Sequence, residues 1–135
     1  MKVLITGEAG FIAQNLAFTF NSLGHSAVYI DDANFLKLQK TGEACVYRNT
    51  ADAWAWHLKN LGVDVVVHNA AVVGTDVVAL HPDKATLTNV VGSYNLALAS
   101  KSANVPICYM GTTVIYDTAK YQDSFITEDS AVRPM

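Results

Sequence analysis

Residues 2–13 run Lys2-Val3-Leu4-Ile5-Thr6-Gly7-Glu8-Ala9-Gly10-Phe11-Ile12-Ala13: a strand pattern whose run 3–5 is continuously apolar, then a turn with two glycines that passes directly into a helical pattern. The unbroken apolar runs at 3–5 and 65–67 suit central strands buried on both faces, as parallel sheets require. The turn after the first aims free backbone N–H groups and the positive end of a helix dipole at one point, where an anion can be held without a lysine. Gly7 allows the tight turn, Gly10 permits close approach to the backbone, and Ala13 is small enough for the helix to pack against the strand.

The rest of the chain continues this alternation. Strands are predicted at 2–6, 27–31, 44–47, 63–68 and 106–110, with helical patterns between most of them, the arrangement of an α/β domain with a parallel sheet. Ile12, Leu16, Phe20 and Leu23 form one helix stripe ending at Gly24; Trp54, Leu58 and Leu61 form another ending at Gly62. A third helix is expected to begin at His81-Pro82-Asp83 and to run through Leu87, Val91, Tyr94 and Leu98. Gly92 inside it points to close packing or a nearby ligand. The stretch 117–135 loses periodicity, and residues 1–135 read as one domain.

Charge and cysteine usage narrow the function. Nine basic against twelve acidic residues give a formal charge of -3, so no basic field exists for a nucleic-acid backbone or an anionic membrane. Any nucleotide must be gripped locally, by backbone groups. Cys45 and Cys108 lie far apart without C-x-x-C spacing, which suggests neither a metal site nor a disulfide framework and fits a reducing, cytoplasmic setting. No run approaches the length of a membrane span.

The second predicted strand ends in Asp31-Asp32. Asp31 follows Gly7 by 31 − 7 = 24 residues, near the offset at which a carboxylate hydrogen-bonds adenosine ribose hydroxyls. A carboxylate there would repel a 2′-phosphate, which favours NAD over NADP. The competing reading is a plain βα turn with an ordinary polar strand end. Strand, glycines, helix and acid occurring together favour the dinucleotide site.

The spacing Gly7-x-x-Gly10-x-x-Ala13 resembles the short-chain dehydrogenase/reductase superfamily. Phe11-Ile12 after Gly10 is similar to its extended branch, the NAD-dependent epimerase/dehydratase family, which acts mostly on nucleotide sugars. His68-Asn69-Ala70-Ala71 resembles the family's His-Leu-Ala-Ala, whose small residues line the cofactor. Thr88-Asn89-Val90-Val91-Gly92-Ser93-Tyr94-Asn95-Leu96 resembles its Asn-Val-x-Gly-Thr-x-Asn-Leu helix, which would put Asn89 beside the cofactor. Gly111-Thr112-Thr113-Val114-Ile115-Tyr116 is similar to Ser-Ser-x-x-Val-Tyr, with Thr112 at the catalytic Ser/Thr.

The resemblance spans the chain. It implies a Rossmann-type doubly wound sheet with strand order 3-2-1-4-5, an NAD cofactor held by Gly7, Gly10, Phe11, Ile12, Asp31, Asp32, Ala70, Ala71 and Asn89, and a nucleotide-sugar substrate.

Several positions depart from the family pattern. Ala13 replaces the usual third glycine, Asp117 stands where glycine usually follows Val-Tyr, and Val46-Tyr47-Arg48-Asn49 lacks the usual Asp-hydrophobic pair that meets adenine. The family's Tyr-x-x-x-Lys, in which a tyrosine of lowered pKa removes a hydroxyl proton as hydride passes to nicotinamide, normally follows the Ser/Thr by about 25 residues; residues 126–135 resemble the run leading to it.

The sequence is therefore expected to be the NAD-binding part of a nucleotide-sugar epimerase or dehydratase, truncated before the catalytic helix and inactive alone. The alternative is a non-catalytic NAD-binding module or subunit. Tyr116 and Lys120 fit Tyr-x-x-x-Lys literally, but such a pair must share a helix face, and Tyr116 follows a strand in a β-branched stretch. His68 reads as a hydrogen-bonded core histidine, Trp54 as core, and Trp56-His57 as a face suited to a partner. An uncovered sheet edge and face are expected to favour a homo-oligomer.

Overall fold

The computed structural model describes residues 1–7, 10–30, 51–117, 120 and 125–133. The predicted strand at 44–47, Asp31, Asp32 and Cys45 lie outside them. Strand β1 (Lys2–Thr6) pairs in parallel with β2 (Ser26–Ile30) on one side and β3 (Val65–His68) on the other; β4 (Ile107–Tyr109) extends the sheet beyond β3. The spatial order is β2-β1-β3-β4. In the numbering of the predicted strands this is 2-1-4-5, the described part of the expected doubly wound order.

Val3, Leu4 and Ile5 are all fully buried, as a central strand requires. Their alternation divides the core into two layers. Leu4 and Val66 face α2 (Ala51–Leu61) and α5 (Ser93–Ala103), where Trp54, Leu58, Leu96 and Ala99 close one layer. Val3, Ile5 and Val67 face α1 (Phe11–Ser22) through Ala13 and Ala17.

Two helix faces differ from the periodicity reading. On α1 the buried positions are Ala13 and Ala17, with Leu16 and Phe20 partly buried, whereas Ile12 and Leu23 are exposed. Alanines at i and i+4 bring the helix axis close to the sheet, leaving the outer ends of the predicted stripe in solvent. On the third helical segment, the predicted stripe Leu87, Val91, Tyr94 and Leu98 faces outward, and Ala85, Leu96, Ala99 and Ser100 are buried instead.

The cause is a break in helical phase. The segment starts at α4 (Pro82–Thr86), passes through a π-helical turn over Leu87–Gly92 and continues as α5. A π turn bonds i to i+5 and so rotates everything after it relative to an uninterrupted α-helix. Gly92 lies at its end, where a Cβ would approach the Leu87 carbonyl oxygen at 3.4 Å. A short helix, α3 (Thr75–Leu80), precedes this segment and was not evident from periodicity; none of its residues is buried.

After β4, a 3-10 turn at Thr113–Ile115 leads to Tyr116, which forms an isolated antiparallel bridge with Val132. The amide of Asp117 donates to the Ala131 carbonyl and that of Arg133 to the Ile115 carbonyl, so residues 131–133 fold back along 115–117. Tyr116 is extended (φ -79°, ψ 148°), so it does not begin a helix face shared with Lys120.

Candidate functional site

The carboxyl ends of β1 and β3 meet at the glycine turn. Gly7 has φ +79°, and a Cβ on it would lie 2.9 Å from the Ala70 Cα. Both conditions exclude a side chain: the left-handed conformation favours glycine, and Ala70 occupies the space. The Gly10 amide donates to the Gly7 carbonyl at 3.0 Å, and α1 begins immediately afterwards. Gly10 is the N-cap residue of this 12-residue helix and supplies no side-chain acceptor to its first amides.

Thr6, the last residue of β1, joins the two strand ends. Its Oγ1 accepts from the amides of Asn69 (3.1 Å) and Ala70 (3.0 Å) and meets His68 Nδ1 at 2.7 Å. His68 is 5% exposed; its Nε2 lies 2.8 Å from Ser93 Oγ on α5, and the Tyr109 ring sits 5.6 Å away, centroid to centroid. Burial pushes the His68 pKa below its ordinary value of 6.5. His68 is thus a core histidine hydrogen-bonded at both nitrogens.

A cavity of about 530 Å³ opens above this junction, lined by Gly7, Gly10, Phe11, Ile12, Asn69, Ala70, Ala71, Val72, Val73, Lys84 and Thr88. Six sequence-predicted site residues come together here: Gly7, Gly10, Phe11, Ile12, Ala70 and Ala71. Asn89 stands one step back. Its side-chain amide donates to the Val72 carbonyl (2.9 Å) and its Oδ1 accepts from the Val72 amide (2.8 Å), so it fixes the loop that forms the cavity's far wall.

Thr112 does not line the cavity. It sits beyond β4 in extended conformation, exposed, with Oγ1 accepting from the Val114 amide at 3.3 Å. Sequence reasoning missed Asn69, whose side-chain Nδ2 would lie 3.8 Å from a Cβ on Gly10, and Lys84, the one cation among the lining residues. Asn69 carried a signal within the His-Asn-Ala-Ala motif. Lys84 carried none, because only the path of α4 brings it to the turn. A lysine thus lines the cavity beside the backbone groups of the glycine turn. Among the described residues no cluster could hold a metal ion, and no helix is long and apolar enough to cross a membrane.

Known proteins share this architecture. A UDP-glucose-4-epimerase from Stenotrophomonas maltophilia, solved with bound NAD and formylated UDP-arabinopyranose, superposes with a TM-score of 0.77 at 23% identity, covering 100% of this chain and 43% of that one. A dTDP-4-dehydrorhamnose reductase from Bacillus anthracis in complex with NADP gives a TM-score of 0.67 at 21% identity, covering 85% of this chain and 37% of its own. At these identities the likeness shows the fold. By sequence, a 2-alkyl-3-oxoalkanoate reductase of Stenotrophomonas maltophilia is 30% identical over 105 residues, 78% of this chain and 31% of the reductase. The chain thus spans less than half the length of each of these relatives. Residues 3–135 match the sequence profile of the NAD dependent epimerase/dehydratase family, and the chain belongs to that family.

Proposed function

We propose that the cavity holds a nicotinamide dinucleotide and that these residues are the cofactor-binding part of an enzyme oxidising or reducing a secondary alcohol or ketone, with a nucleotide sugar as the substrate class. The observation that carries this reading is the Gly7–Ala70 contact beneath a helix start whose N-cap is a glycine. With no Cβ at Gly7 or Gly10, a pyrophosphate can approach the amides of residues 10–12.

In this reading Gly7, Gly10, Phe11 and Ile12 hold the pyrophosphate, Ala70 and Ala71 flank the dinucleotide, and Asn89 positions the Val72 loop against it. The dinucleotide, when bound, accepts or supplies hydride. Thr112, at the carboxyl edge of the same sheet, would hydrogen-bond the reacting substrate oxygen. Asp31, with Asp32 as the next candidate, would meet the adenosine ribose and favour NAD over NADP. Relatives solved with NAD and with NADP make this choice a property of the individual chain.

Support for the nucleotide-sugar class comes from the epimerase solved with a UDP-sugar, while the 30% identical reductase has a non-sugar substrate in its name. Both names fit carbonyl or carbinol redox chemistry. Residues 1–135 alone are expected to bind cofactor without turnover, because Tyr116 is extended and the positioned base of the family is not formed by the Tyr116–Lys120 pair. We also expect self-association, supported by the outward Leu87, Tyr94 and Leu98.

Titration calorimetry with NADH and NADPH tests the reading. NADH is expected to bind more tightly, with the gap narrowed by Asp31→Ala. Absence of binding by either dinucleotide would sink the assignment, and equal affinities would remove Asp31 from the ribose site.

A further inference from the structure

Thr6, His68 and Ser93 form a chain of side chains joining β1, β3 and α5, and its polarity follows from donor counting. A threonine hydroxyl has one hydrogen to donate and two lone pairs. The amides of Asn69 and Ala70 fill both lone pairs of Thr6 Oγ1, at 3.1 and 3.0 Å, so its hydrogen goes to His68 Nδ1, 2.7 Å away. Nδ1 is therefore the acceptor, the imidazole is neutral, and its proton sits on Nε2, which donates to Ser93 Oγ at 2.8 Å.

We propose that His68, fixed in this tautomer, is a positioning residue: a latch that holds α5, and with it Asn89 and the Val72 loop, in register with the glycine turn across the dinucleotide cavity. The inference rests on the dinucleotide reading of that cavity. Nothing in the strand pairing alone supplies this link. β1 and β3 are joined by their ladder, but Ser93 lies on a helical segment whose phase has been reset by the π turn Leu87–Gly92, the turn that holds Asn89 and places Thr88 in the cavity wall. Ser93 directly follows that turn, so the His68–Ser93 bond pins the segment where its geometry is least regular.

The latch works in one protonation state. Thr6 from β1, Ser93 from α5 and the Tyr109 phenol from β4 face the ring. A second proton on the ring would have to enter at Nδ1, toward a hydroxyl already donating there. Thr6 could then accept from the ring only by releasing the Asn69 or Ala70 amide. Ala70 is the residue against which Gly7 packs, so acidification loosens the cradle itself.

The test uses the intact protein, with NADH as probe and nitrogen-15 NMR of labelled histidine. The expected ring pattern is a protonated Nε2 and an accepting Nδ1. A protonated Nδ1 at neutral pH would overturn the latch without involving any cofactor. Ser93→Ala and His68→Asn should each weaken NADH binding by about five- to tenfold, the worth of one buried hydrogen bond. The double variant should be no worse than the weaker single, because both remove the same bond.

Ser93→Thr, which keeps the hydroxyl, should recover most of the loss. Unchanged affinity in Ser93→Ala, or losses that multiply in the double variant, would overturn the proposal. If His68→Asn fails to fold, Ser93→Ala, Ser93→Thr and the ring pattern still decide. If the parent protein binds no NADH, the dinucleotide reading falls, and the ring pattern separately supports or overturns the latch.

Discussion

A Cβ on Gly7 would lie 2.9 Å from the Ala70 Cα, so the turn that ends β1 rests directly on the backbone that ends β3. Gly7→Ala must both strain a left-handed backbone and push Ala70 away, and is expected to cost about 1–3 kcal/mol of stability. Gly10, with φ in the extended region, faces the Gly7 carbonyl oxygen at 3.1 Å from its own Cβ position. Gly10→Val should therefore spare more stability than Gly7→Ala while abolishing NADH binding. Urea unfolding and calorimetry on both variants separate the two effects; an unchanged NADH affinity in Gly10→Val would place the pyrophosphate elsewhere.

Asn89 makes a two-pronged contact with the backbone of Val72, donating to its carbonyl and accepting from its amide. Asn89→Ala strands both groups and should cost about 1–3 kcal/mol. Asn89→Asp keeps the acceptor but sets an oxygen against the Val72 carbonyl, and should lose nearly as much. Equal stability of Asn89→Asp and the parent by thermal unfolding would show that the donor half of the contact is dispensable.

Lys84 is exposed and lines the same cavity as Gly10, Phe11 and Ile12 at the start of α1. Lys84→Gln should weaken NADH binding about two- to fivefold, the range of an exposed ion pair. The difference between parent and variant should shrink as salt is raised. A salt-independent difference would mean that Lys84 acts through packing of its stem rather than through charge.

Burial lowers the His68 pKa, so the unfolded chain binds more protons than the native one between the two values. The stability held by the neutral ring is fully present above the unfolded value of 6.5 and is lost as pH falls through the folded one. Urea midpoints of the parent should fall on acidification through this window, and the His68→Asn profile should be flatter there. Parallel profiles would show that His68 does not control the acid limb.

Ser100 is 2% exposed, and its hydroxyl has no hydrogen-bond partner among the described residues. Ser100→Ala should therefore raise stability, by about 1 kcal/mol, since it removes a buried polar group that no described residue satisfies. A loss of stability by differential scanning calorimetry would reveal a partner for the hydroxyl.

Much of this protein is written locally in its sequence. The run Val3-Leu4-Ile5, the glycines at 7 and 10 and the apolar pattern behind them define strand, turn and helix within a dozen residues, and the same logic locates Ala70 and Ala71 at the end of β3. The sequence order of strands and helices leads to a parallel sheet because parallel neighbours need crossover connections.

What the sequence could not specify is whatever depends on helix phase or on partners far along the chain. The predicted stripe through Leu87, Val91, Tyr94 and Leu98 faces outward because one π turn rotates all that follows, and a 3.6-residue period cannot register such an insertion. Asn89 finds Val72 across 17 residues, Ser93 finds His68 across 25 and Thr6 finds His68 across 62. Lys84 reaches the cavity only through the path of α4. Local sequence determines which backbone conformations are cheap. The close packing of β1, β3 and the helical segment after the π turn decides which side chains meet, because each hydrogen bond among them exists only once the two elements it joins are in place.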